Sequence, residues 1–122
     1  VQGKTPEQAQ ELIDDALTLQ AIGVFSIVLE GIPQELAKEI TTTLRIPTIG
    51  IGAGLHCDGQ ILVTEDLLGL TFAKTPKFVR RYANLQEIIR EALHHFAEDC
   101  RDENFPSPAE SYSLDSIKAS AR

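Results

Sequence analysis

The chain has 122 residues, 43% hydrophobic and 24% charged, with a formal net charge of -7. This is the composition of a folded globular domain, not of disordered chain. The acidic balance argues against a protein built to hold phosphate backbones, so no nucleic-acid partner is expected.

The longest largely apolar run, residues 24–29, is too short to span a bilayer, and no basic-then-apolar leader opens the chain. No membrane association or export signal is therefore expected. Cys57 and Cys100 lie far apart, with no paired Cys/His spacing around them, so a structural zinc site is not expected. Two reduced thiols suit a cytoplasmic protein. The chain starts at Val1 and contains no Met, which leads us to expect a cut rather than a natural beginning.

In chain order, Thr5-Pro6-Glu7-Gln8 predicts a helix start, with Thr5 as cap, Pro6 at the first helical position and Gln8 completing a capping box. Apolar residues at Ala9, Leu12, Ile13, Ala16, Leu17 and Ala21 form one helical face, and Gly23 stops the helix. Residues 24–29 read as a strand covered on both faces, as in parallel sheets. Glu30 stands at its end. Gly31-Ile32-Pro33 turns the chain into a second helix, from about Pro33 to Leu44, with Leu36, Ala37, Ile40 and Leu44 inward. Pro47 opens a strand through Ile51 into Gly52-Ala53-Gly54. Asp58-Gly59 is a turn, and residues 60–63 are a third strand. A long helical region is expected from Pro76 to Phe96, with Asn84 as an interruption. Residues 104–122 lose periodicity and read as an extended or disordered tail.

Helices alternating with strands predict an α/β fold with a parallel sheet. Three such strands need neighbours and covering layers. A complete (β/α)8 barrel takes about 250 residues, so residues 1–103 are expected to form part of one barrel domain.

Among residues able to carry chemistry, Glu30 ranks first. Ligands of α/β folds bind at the carboxyl ends of strands, and a carboxylate there can serve as a general base; a solvated loop glutamate or a glutamate at a helix N-terminus is the alternative. The glycines of residues 50–54 allow close backbone approach, but they form no dinucleotide fingerprint, and a ligand-free tight turn is the preferred explanation. His56, Cys57 and Asp58 are metal-ligand types, but adjacent residues in extended chain rarely converge, so no metal site is expected there. His94 and His95 point apart on a helix, and Lys74, Lys77, Arg80 and Arg81 read as a solvated or subunit-contact patch.

The ordered series Ile27-Val28-Leu29-Glu30-Gly31-Ile32-Pro33, Leu36-Ala37-Lys38, Ile46-Pro47-Thr48-Ile49-Gly50-Ile51-Gly52-Ala53-Gly54, Asp58-Gly59-Gln60-Ile61-Leu62-Val63, Asp66-Leu67-Leu68-Gly69-Leu70 and Pro76-Lys77-Phe78-Val79-Arg80-Arg81-Tyr82 resembles the ketopantoate hydroxymethyltransferase family, over about residues 1–112. The resemblance implies the C-terminal portion of a TIM barrel of the phosphoenolpyruvate/pyruvate type, with the sixth, seventh and eighth strands present. It implies transfer of a hydroxymethyl group from 5,10-methylenetetrahydrofolate to 3-methyl-2-oxobutanoate, giving 2-dehydropantoate in pantothenate biosynthesis. It also implies Mg2+ bound by residues of the missing N-terminal half, a cytoplasmic homo-oligomer (a decamer), and Glu30 as the general base. No metal ligand of the family falls within this chain, and no residue is assigned to the folate. Two other readings are weighed: a different Mg-dependent α-keto acid lyase or mutase on the same barrel, and a non-catalytic half-barrel that acts as an assembly module. The isolated chain is expected to be inactive.

Overall fold

The computed structural model describes residues 1–114 and divides into two compact units, Val1–Ala83 and a second beginning at Asn84. In the first unit, helix α1 (Pro6–Ala21) leads to β1 (Ile27–Glu30), α2 (Gln34–Thr43), β2 (Thr48–Ile51), β3 (Gly59–Gln60) and the short α3 (Thr64–Leu68). The strands form one sheet in the order β1-β2-β3, both pairings parallel. The expected α/β parallel architecture is therefore present.

Helix α1 starts where the sequence places it. The Thr5 hydroxyl accepts from the Gln8 N–H at 3.3 Å, and Pro6 occupies the first turn. The capping box is only half made, because the Gln8 side chain accepts from the Lys4 N–H at 3.1 Å instead of reaching Thr5. Ala16 is buried, with Ala9, Leu12 and Ile13 packed beside it, but Leu17 and Ala21 face solvent. Helix α2 buries Leu36, Ala37 and Ile40, followed by Leu44, as its spacing requires.

The strands are shorter than the apolar runs suggest. The Val24 N–H is used on Leu19 at the end of α1, and Phe25 is exposed. Residues 24–26 have no strand partner among the described residues, because β2 begins at Thr48, which registers with Ile27. Glu30 is therefore the last residue of β1, not the residue after it. Nor is β1 covered on both faces. Its residues alternate, with Leu29 buried and Val28 and Glu30 exposed. Of the expected strand 60–63 only Gln60 lies in β3, which pairs from Gly59, and residues 61–63 lead into α3 at Thr64.

Residues 76–84 are not helical. The Val79 N–H closes a turn on Pro76, and the Tyr82 N–H donates to the Leu67 carbonyl at 2.8 Å, so the amides a helix would need are spent elsewhere.

In the second unit, helix α4 spans Leu85–Arg101, with Asn84 at its cap position. Phe96 meets Phe105 edge-to-face, with ring centroids 5.4 Å apart. Residues 108–110 form a 3-10 turn capped reciprocally by Ser107 and Glu110. The last part of the expected tail, residues 115–122, lies outside the described residues.

Candidate functional site

Parallel pairing fixes which side chains share a face. Ile27 and Leu29 register with Thr48 and Gly50, and this side packs onto α2. Val28 and Glu30 register with Ile49 and Ile51 and, by the alternation of strand side chains, project to the opposite side. Glu30 is exposed at the carboxyl end of β1, one residue along its face from Val28, which is 54% exposed. The Gly31 N–H donates to the Ile51 carbonyl at 2.9 Å, so the ladder continues past Glu30 and ties its backbone to the end of β2.

Two clefts border this end of the sheet. One, of about 310 Å³, opens between α1 and the free edge of β1 and is lined by Leu12, Ala16, Leu19, Val28 and Glu30 among others. The second, of about 370 Å³, lies beyond β2 and β3 and is lined by Gly52, Gln60, Ile61, Phe78, Arg80 and Tyr82 among others.

Gly52 has φ +64°, and a Cβ there would lie 2.5 Å from the Phe78 ring, so only glycine fits. Gly50 is buried in the middle strand, where a Cβ would stand 2.9 Å from Cys57 Sγ. The glycine run thus serves close packing at the carboxyl end of β2.

A family model described as ketopantoate hydroxymethyltransferase matches residues 1–108. The chain belongs to the ketopantoate hydroxymethyltransferase family. Curated proteins named 3-methyl-2-oxobutanoate hydroxymethyltransferase agree. That of Clostridium acetobutylicum is 51% identical over 115 residues, covering 94% of this chain and 42% of the relative. That of Geobacter sulfurreducens is 51% identical, covering 93% and 42%. That of Pelobacter propionicus is 54% identical, covering 92% and 41%. The chain therefore spans about two fifths of the length of these relatives.

Several of the remaining candidate residues take structural positions in this member of the family. Asp58 Oδ2 accepts from the Thr48 N–H at 2.8 Å, and Cys57 lies over Gly50. The two residues after His56 thus point to the sheet, while Leu55 before it is exposed. Among the described residues no group of three His, Cys, Asp or Glu could hold a metal ion. His94 faces Glu98 at 3.3 Å on α4, and Arg81 donates to the Thr71 carbonyl at 3.4 Å. No helix among the described residues is long and apolar enough to cross a membrane.

Sequence reasoning missed two features near the site. One is α3, whose stop was visible in Gly69, a left-handed cap at φ 70°. The other is the Thr48–Asp58 tie. No periodicity signals it, because it joins positions ten residues apart through a side chain.

Proposed function

We propose that this chain forms part of a 3-methyl-2-oxobutanoate hydroxymethyltransferase and contributes the general base, Glu30. The reading rests on one observation above all: in a chain matching this family over residues 1–108, an exposed carboxylate ends a parallel strand on the sheet face that α2 leaves open. Glu30 takes the proton β to the carboxylate of 3-methyl-2-oxobutanoate. The resulting carbon nucleophile bonds to the one-carbon unit of 5,10-methylenetetrahydrofolate; water supplies the hydroxyl oxygen, the carbon–nitrogen bonds to the folate break, and tetrahydrofolate leaves with the protons, giving 2-dehydropantoate.

In this proposal residues 1–103 supply strands six to eight of a phosphoenolpyruvate/pyruvate-type TIM barrel, and residues 104–122 form its tail. The rest of the full-length protein supplies the other strands and the Mg2+ ligands. Among the described residues of this chain no cluster of three His, Cys, Asp or Glu could hold the metal. The free edge of β1 and the adjoining apolar cleft support a neighbouring strand at that edge. The assembled enzyme is a cytoplasmic homo-oligomer.

The test is Glu30→Gln in a full-length enzyme carrying this segment. Exchange of the keto acid's β-proton into deuterated water should fall roughly 10²–10⁴-fold, as for a positioned base. Near-normal exchange would remove Glu30 from the role.

A further inference from the structure

The connection from β2 to β3 is unusual for a parallel pair. Such connections commonly take about a dozen or more residues, usually a helix. Here residues 52–58 alone carry the chain from the end of β2 back to the level of Ile49, which registers with Gly59. They form a strap with no helix in it. A strap of that length, reaching about 3.3–3.6 Å per residue when extended, is longer than the step to the adjacent strand requires, so its path depends on what fastens it.

The strap is fastened at two points. At its far end, the Asp58 carboxylate accepts from the Thr48 N–H at 2.8 Å, with the Thr48 hydroxyl 3.3 Å from the same oxygen. Thr48 is completely buried, and its hydroxyl also lies 2.8 Å from that of Thr41 on α2. At its near end, Gln60 Nε2 donates to the Gly54 carbonyl at 2.8 Å. Cys57 lies on the surface of Gly50 between them. Strand β2 is thereby held at its first residue by Asp58, and at its last by the Gly31 N–H, the residue after Glu30.

We infer that Asp58 is a positioning residue for the site at Glu30: it sets where β2 and the Gly52–Gly54 turn stand beside the carboxylate, and contacts no substrate itself. This inference rests on the reading of Glu30 as the base. Its chemistry is one of reach. A carboxylate or amide oxygen at the distance of an aspartyl side chain satisfies the Thr48 N–H, and the same oxygen one methylene farther out does not do so without moving the strap. Displacements of about 1 Å at a reacting site cost up to about a hundredfold in rate.

The experiment compares Asp58→Asn and Asp58→Glu in a full-length enzyme carrying this segment, with Glu30→Gln as reference. The readouts are melting temperature, and kcat and KM for β-proton exchange of the keto acid. Asp58→Asn keeps the acceptor in place and should hold kcat within about threefold. Asp58→Glu keeps the charge but shifts the anchor, and should lower kcat about tenfold with KM within about twofold, at temperatures where the protein is folded. Wild-type kcat in Asp58→Glu would reduce Asp58 to a purely structural tie. So would a loss confined to KM or melting temperature. Equal losses in both variants would show that charge matters and reach does not, and would also overturn the inference. Failure of the base reading would appear separately, as exchange retained in Glu30→Gln.

Discussion

The two faces of the sheet in the first unit share the same strands and differ in cover. On one side Leu29 packs with Ala37 and Ile40 of α2, which are 0% and 1% exposed, and with Ala16 of α1. On the other, Val28 is 54% and Ile61 47% exposed, and Glu30 stands among them. Side chains alternate along a strand, so β1 supplies both surfaces at once. The comparison separates two demands on a parallel sheet. Two local helices cover the first face from within this chain. The opposite face is covered at Ile51, which is 9% exposed, but at Val28 it lacks apolar partners from this unit, and it is the face that carries the candidate base.

The largest expected effect follows from that incompleteness. The 122-residue chain alone should give no hydroxymethyl transfer with keto acid, methylenetetrahydrofolate and Mg2+. It should also associate through its open edge and face. Adding the rest of a full-length enzyme as a second chain should yield a stable complex, read by size exclusion with light scattering. Turnover by the pure chain would break the comparison. So would a sharp, cooperatively melting monomer of 13.4 kDa.

Single substitutions sharpen it. In the full-length protein, Ile40→Ala on the closed face should destabilise by about 2–5 kcal/mol. Val28→Ala should cost about 1.5 kcal/mol or more if other strands cover the open face there. Urea unfolding measures both. A cost for Val28→Ala within about 0.5 kcal/mol, as for a surface site, would mean that the face stays open and the barrel completion is wrong.

A smaller effect is expected on the covered face, at the buried hydroxyl of Thr48. Thr48→Val keeps the shape but removes a partner from both Asp58 and Thr41. The loss should be about 1–3 kcal/mol, with Thr48→Ser closer to wild type. Equal stability of the Val variant would show that the backbone N–H alone carries the tie.

The helices of the closed face were the most legible part of the sequence. Pro6 with Thr5 marked one start, and the Leu36, Ala37, Ile40 and Leu44 spacing marked one buried stripe. Strand limits were less so, because apolar character does not say where a partner begins. Val24 and Phe25 look like strand, but no residue of β2 stands opposite them. Residues 76–84 misled for a related reason: Phe78 and Tyr82 fall at helical spacing, while the Tyr82 amide is committed to Leu67 across the fold. The position of Glu30 could be read from the run before it. The side to which it projects could not, since that depends on register with β2.

The smallest expected effect concerns the first turns of the two helices that close the covered face. The Glu7 carboxyl is held below its ordinary value by its own backbone N–H and then by the Thr5 hydroxyl. The Glu35 carboxyl is lowered by its own backbone N–H and then by the Gln34 side chain, whose Nε2 donates to it at 3.1 Å. A carboxyl with a depressed folded-state pKa binds protons more weakly folded than unfolded. Its contribution is therefore present above the unfolded value, near 4.5, and is lost as pH falls through the lower folded value. Both groups are fully exposed, so solvent screens the effect and the shift in melting should be slight. Melting of the full-length protein and its Glu35→Gln variant, followed from about pH 6 to about pH 3, tests the sign. The wild type should melt higher at the upper end, and the gap should close on acidification as the carboxylate takes up its proton. A gap that widened toward low pH would mean that the neutral carboxyl, not the charged one, is the form α2 favours at its first turn.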